Sequence, residues 1–196
     1  MSSGGAWKQN PPTLFLNKIM SNFRFISLTE NYEPILQKVL NNPDDWKAVS
    51  TYDNIAGDMD PYGFMPLVMA AVPSIRVNPK NCEEQQNTPL FDKYHEVHEW
   101  LRSWDIEKTS RAAFFKLRVG GRVGRHIDDG TYYLSRDRYH FALQGEYLYE
   151  VDGEEHVIKP GTFFWFNNKL PHSAKNIGTV ERITFVFDVP HSNKNP

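Results

Sequence analysis

Residues 120–130 read GGRVGRHIDDG, residues 136–143 RDRYHFAL, residues 170–178 LPHSAKNIG and residues 181–189 ERITFVFDV. Side chains two apart in an extended strand share a face, and that rule sorts these segments. Tyr139, Phe141 and Leu143 fall on one face, Arg138, His140, Ala142 and Gln144 on the other. Ile183, Phe185, Phe187 and Val189 likewise oppose Arg182, Thr184, Val186 and Asp188. Before them Ala113, Phe115, Leu117 and Val119 alternate with Phe114, Lys116 and Arg118. Between them lie Tyr147 to Val151, His156 to Ile158 and Thr162 to Phe166, separated by turn signals at Asp152-Gly153 and Pro160-Gly161. Short, regularly spaced strands of this kind predict a mainly β domain, a small barrel or jelly roll.

Upstream the period is helical. Leu28, Tyr32, Ile35, Leu36, Val39 and Leu40 recur at helical spacing, with Thr29 or Asn31 able to cap, Pro34 tolerable in the first turn and Asn41-Asn42-Pro43 as the stop. Thr88-Pro89 opens a second helix, predicted as one piece from Leu90 through Tyr94, Val97 and Leu101 to Trp104. Its HEVHE segment holds His95 and His98 three apart with no Glu in the place a zinc-protease helix requires, so it reads as ordinary helix surface. Between the helices Pro61, Pro66, Pro73 and Pro79 break any pattern, leaving room for short strands at Leu67 to Val72 and Ser74 to Val77. The expected organisation is a flexible arm (1–12), one domain (13–189, with a helical and irregular part 13–110 and a jelly-roll core 111–189) and a polar tail (190–196).

A net charge of -2 and a pI near 6.4 argue against nucleic acid or an acidic membrane as partner. One basic run, Arg111, Lys116, Arg118, Arg122 and Arg125, is either a solvated strand face or a rim that attracts an anion. Cys82 is the only cysteine, which excludes a disulfide scaffold within the chain and suits a reducing compartment. With no signal-like or membrane-length apolar run, the expected location is the cytoplasm.

His126 and Asp128 can face the same way from one extended segment, and His172, forty-six residues on, can meet them only if the chain folds back. Two neutral imidazoles and one carboxylate on one side of a metal leave three octahedral positions open, as in non-haem Fe(II) oxygenases. A lone H-x-D is weak, because such tripeptides occur by chance. Arg182, with Arg138 and His140, strengthens it: inward cations are costly without a ligand. A dicarboxylate would satisfy them, and an arginine fork suits the distal carboxylate of 2-oxoglutarate.

GGRVGRHID, RYHFAL, PGTFFWFNNKLPHSAKN and RITFVFDV resemble the aspartyl/asparaginyl β-hydroxylase family of Fe(II)- and 2-oxoglutarate-dependent oxygenases, which includes proline hydroxylases. The resemblance covers about two-fifths of the chain, Arg111 to Val189, and implies a double-stranded β-helix of the cupin type. It implies that His126 and His172 ligate iron, that Arg182 binds the distal carboxylate of 2-oxoglutarate, and that Arg138 and His140 help hold that co-substrate. Some animal members lack the carboxylate ligand; here Asp128 stands ready as the third, and Asp129 should point away. The implied reaction uses dioxygen, with ascorbate as a stimulant, and hydroxylates an amino acid, free or peptidyl and Asp-, Asn- or Pro-like, while 2-oxoglutarate becomes succinate and carbon dioxide. Arg122, Arg125, Tyr132, Tyr133 and Trp165 are candidates for the substrate wall. The alternatives on the same barrel are a Zn or Mn isomerase, which has no evident need for Arg138, His140 and Arg182 together, and a cupin-type binding protein for a small acid or sugar. The oligomeric state is not legible.

Overall fold

Alternation of side chains decides how the strands stack. The computed structural model describes residues 21–26, 31–47, 62–71, 77–103 and 111–191. In chain order these form β1 (Phe23–Ile26), α1 (Glu33–Leu40), β2 (Tyr62–Ala70), β3 (Gln85–Asn87), α2 (Leu90–Lys93), α3 (Glu96–Ser103), β4 (Ala112–Leu117) and β5 (Arg122–His126). There follow α4 (Thr131–Leu134), β6 (Arg136–Gln144), β7 (Tyr147–Val151), β8 (Glu154–Ile158), β9 (Phe163–Phe166), β10 (His172–Asn176) and β11 (Arg182–Pro190). The larger sheet runs β1-β9-β6-β11-β4-β2-β3 and the smaller β5-β10-β7-β8. From β4 onward the chain visits the sheets in turn, crossing to the smaller one for β5, for the β7–β8 hairpin and for β10. That path is the double-stranded β-helix, or jelly roll, of cupin-like proteins.

The apolar face of the larger sheet points away from the barrel. Phe114, Phe141, Phe185 and Phe187 are fully buried there, packed with Ile35, Leu36 and Val39 of α1 and with Tyr94, Val97, Trp100 and Leu101. Burying each large apolar side chain contributes about 1.5–3 kcal/mol. A second cluster fills the space between the sheets, with Phe23, Tyr147, Tyr149, Val151, Phe164 and Phe166 at its centre. Covering the outer face with helices leaves the inner face free to carry Arg138, His140, Arg182 and Asp188.

The β7–β8 hairpin closes through Asp152 and Gly153, both at positive φ (49° and 87°), the two-residue turn that Asp-Gly favours. Asn31 accepts a hydrogen bond from Glu33 N through Oδ1 at the start of α1, and Pro34 lies in its first turn. Thr88 Oγ1 accepts from Leu90 N, as its capping place foretells.

Two expectations need correction. The helix from Leu90 is two short helices, broken at Tyr94, whose ring is fully buried and whose hydroxyl donates to Asp45 Oδ2 at 2.7 Å. The strand expected at Leu67 to Val72 begins at Tyr62 and runs through Pro66. A register shift between Pro66 and Val68 accommodates the missing N–H, because a bulge removes the need for a ladder donor there. The arm, the apolar segment 14–20, Thr29, Trp104, the strand at Ser74 to Val77 for all but its last residue, and most of the tail lie outside the described residues. β11 continues through Pro190, so pairing extends one residue into the segment read as tail.

Candidate metal centre

His126 ends β5 and His172 begins β10, and the pairing of these strands sets the two residues directly opposite each other, ring centroids 4.3 Å apart. Asp128 follows two residues after the strand. One donor atom from each of the three lies within 4.8 Å of the other two. Both imidazoles are oriented alike: Nδ1 of His126 is 2.8 Å from Gly124 O and Nδ1 of His172 is 2.9 Å from Leu170 O. A ring that donates Nδ1–H to a carbonyl keeps Nε2 deprotonated and available to a metal.

Asp128 is buried and asymmetrically held. Its Oδ2 accepts from Asn168 Nδ2 at 2.9 Å and lies 2.9 Å from Arg138 Nη1, while Oδ1 faces His126 Nε2 at 3.9 Å. Its own N–H donates to Asn168 O. Burial works against its charge, but Arg138, His172 and the Asn168 hydrogen bond outweigh this and hold the carboxyl below its usual range. Burial brings the His172 imidazole down to about 4, against the pull of Asp128. The site thus presents two imidazoles with Nε2 turned from the carbonyls and an ionised carboxylate, the donor set a divalent first-row cation takes. Asp129 points away as expected, exposed and paired with Lys80.

Arg138 does not face the cavity as an unpaired cation, which corrects part of the sequence argument. Its Nε and Nη2 donate to Asp188 Oδ1 and Oδ2 at 2.8 and 3.0 Å, and its Nη1 is against Asp128. Asp188 lies opposite Arg138 in the β6–β11 ladder, and it was already on the face shared by Arg182. Asn168 left no signal in the sequence beyond its place in a turn. Arg182 is different: it is buried, its Nε donates to Thr184 Oγ1 at 2.8 Å, its guanidinium lies 4.2 Å from the centroid of the Tyr147 ring, and it has no carboxylate partner among the described residues. Close by, one buried polar atom, His140 Nδ1, has no hydrogen-bond partner among the described residues. Burial, with Arg182 and Arg138 nearby, keeps His140 far below the usual imidazole range, so it is neutral. A buried fork and an orphaned imidazole nitrogen lining one cavity fit an acidic, hydrogen-bonding ligand.

That cavity measures about 580 Å³ and is lined by the three candidate ligands, Arg138, His140 and Arg182. Phe64, Val68, Ala113, Phe115 and Val186 form an apolar wall beside them. The substrate-wall candidates separate. Tyr133 lines the cavity and Arg125 its rim, with Glu150 and Asp152 within 3.8 Å of that arginine. Tyr132 is fully buried outside it, donating to Asp188 Oδ2 at 3.0 Å and stacked between Arg111 and Arg136, so its place is structural. Trp165 is on the outer face of β9, where Nε1 donates to Asp137 and Arg24 covers the ring; Phe164 and Phe166 take the inner face. Arg122 is exposed on β5 and does not line the cavity. The basic run divides: Arg111, Lys116 and Arg125 line the cavity and Arg122 does not, while Arg111 also binds the carbonyls of Pro79 and Cys82 and Lys116 sits over Trp46.

The class that fold and site define is a cupin-like jelly roll with a His–Asp–His cluster that could hold a metal ion and a buried arginine in the same cavity. The chain belongs to the aspartyl/asparaginyl β-hydroxylase family, whose model matches residues 29–192. No curated protein matches it. Among solved structures it is similar to a predicted oxalate decarboxylase from Thermotoga maritima, at 21% identity over 46% of this chain and 73% of that one, TM-score 0.37. It is also similar to the cupin domain of Schizosaccharomyces pombe Cnp3 (17% identity, 43% and 58% covered, TM-score 0.37). A Cupin 2 conserved barrel domain protein from Salinispora arenicola gives 12% identity, 41% and 63% covered, TM-score 0.34. No helix among the described residues is long and apolar enough to cross a membrane.

Proposed function

We propose that the protein is an Fe(II)- and 2-oxoglutarate-dependent hydroxylase that acts on an amino acid, free or within a peptide, in the cytoplasm. The observation that carries this reading is Arg182, a buried arginine without a carboxylate in the same cavity as His126, Asp128 and His172. A Zn or Mn isomerase has no evident need for that fork together with Arg138 and His140. His126, Asp128 and His172 would hold the iron and leave one side of it open to the cavity. Arg182 would hold the distal carboxylate of 2-oxoglutarate, with neutral His140 as a hydrogen-bonding group beside it. When bound, Fe(II) with dioxygen and 2-oxoglutarate supplies the oxidising power that turns a C–H into a C–OH, as 2-oxoglutarate becomes succinate and carbon dioxide.

The protein's share of the work is positioning and exclusion of water. Nδ1–H of each histidine is committed to a carbonyl, so neither ring can rotate away from the metal without losing a hydrogen bond. Phe64, Val68, Phe115 and Val186 give the substrate an apolar surface that keeps solvent from the target C–H.

The test is calorimetric titration of 2-oxoglutarate into protein loaded anaerobically with Fe(II), followed by succinate release in air with ascorbate. Arg182→Ala should weaken 2-oxoglutarate at least thirtyfold and leave metal affinity within about threefold, since losing a buried charge-assisted pair costs about 2–5 kcal/mol. Absence of iron-dependent 2-oxoglutarate binding by the intact protein would sink the reading.

A further inference from the structure

We infer that Asp188 is a positioning residue that decides how Asp128 meets the metal, an inference that rests on His126, Asp128 and His172 being the metal ligands. Arg138 is the reason one is needed. A guanidinium prefers to take a carboxylate on two parallel N–H groups. If Arg138 turned such an edge to Asp128 it would occupy both carboxylate oxygens, and the metal would lose a ligand. Asp188 fixes the guanidinium against this: it takes the Nε–Nη2 edge with both of its own oxygens, and in that orientation Nη1 is the nitrogen that meets Asp128, at Oδ2. Nη1 and Asn168 Nδ2 both meet Oδ2, so Oδ1 stays turned toward His126 Nε2.

The arrangement is held from behind. Tyr132 donates its hydroxyl to Asp188 Oδ2, Arg111 N donates to the Tyr132 oxygen, and Asp188 N donates to Arg111 O. Tyr132, Asp188, Arg138 and Asp128 form one line of contacts ending at the metal position. Asp188 is itself buried, so its charge stays with Arg138 and is not shared with solvent. Arg138 thus supports the third ligand while it also lines the cavity with Arg182 and His140.

Co(II) titration tests this, because the visible absorption of bound Co(II) reports the number and kind of its ligands as well as the affinity. Asp188→Asn keeps the size but frees the Nε–Nη2 edge, and should weaken Co(II) about ten- to hundredfold, the usual reach of such supporting groups. Its spectrum should be that of a site short of one ligand. Arg138→Met combined with Asp188→Asn removes the competitor, so Co(II) affinity should recover to within about fivefold of wild type. A residue that only supported the fold would give a double variant no better than the single one. Tyr132→Phe keeps every charge, and should weaken Co(II) two- to fivefold; it serves if Asp188→Asn does not fold. Unaltered Co(II) affinity and spectrum in Asp188→Asn, a double variant as weak as the single, or unchanged binding by Tyr132→Phe where Asp188→Asn fails to fold overturns the inference. Co(II) binding that survives His126→Ala unchanged overturns instead the assignment of the three ligands on which it rests.

Discussion

Asp128 and Asp129 are adjacent in the chain and opposite in circumstance: the first is buried with its charge held by Arg138 and Asn168, the second is exposed and paired with Lys80. Substitution should separate them cleanly. Asp128→Ala is expected to lose divalent-metal affinity by at least a hundredfold, whereas Asp129→Ala stays within twofold, as measured by isothermal titration. His172 makes a second prediction. Burial holds its imidazole at about 4 in the metal-free protein, against 6.5 for a solvated one. The unfolded chain therefore takes up the proton first as the pH falls. Stability is unaffected by this group above pH 6.5, declines between 6.5 and 4, and is lower by about 3 kcal/mol once both states are protonated. His140, held far down in the same direction, adds to the decline. Denaturant titrations of metal-free protein at pH 7 and pH 4.5 should find a smaller loss in His172→Gln than in wild type; an equal loss removes His172 as a cause.

Strand parity carried most of what could be read before folding, and for a specific reason. The outer face of the larger sheet lies under helices, so it is uniformly apolar at Phe141, Phe185 and Phe187. The polar residues on the alternate positions, Arg138, His140, Arg182 and Asp188, then stand out as the ones that face the cavity. Parity cannot say which inner residues touch. The pairing of Arg138 with Asp188 depends on the β6–β11 register, which includes a shift after Ile183, and no local pattern encodes that. Trp165 was misread because all of Phe163 to Phe166 is aromatic and its parity is visible only through its partners. Tyr132 sits in a helix of four residues, too short for periodicity to reveal. The turn between β5 and α4 offers an element to test. Gly130 has φ of 98°, and a Cβ there would run into Lys80 O, where the short helical turn Pro79–Asn81 closes over the metal loop. Gly130→Ala should destabilise the protein by about 1–3 kcal/mol and weaken metal binding, because the loop that carries Asp128 would be displaced. Thermal melts with and without metal would measure both effects.

The barrel has two interiors with different duties. The outer one, between larger sheet and helices, contains no site residue; the inner one, between the sheets, packs Phe166 against His172 and His140 at ring separations of 5.0 Å. Phe185→Ala should cost about 3–5 kcal/mol in denaturant unfolding yet leave metal affinity of the folded protein within about threefold. Phe166→Ala should cost a similar amount and also weaken the metal, since the ring that backs both histidines is gone. The two histidine ligands sit beside one irregularity in the smaller sheet. His172 pairs with His126, but Ala174 pairs with Val123, so β5 carries one residue more than β10 across this step, at Gly124 and Arg125. Substitutions there leave the count intact. Deleting one of those residues would leave a single residue between the two pairs on each strand, a regular ladder that keeps His126 opposite His172 but loses the extra bend a bulge gives its strand. Among natural variants of this chain, the segment from Arg122 to His126 should therefore vary freely in letters and lose at most the one surplus residue, a constraint that sequencing alone can check.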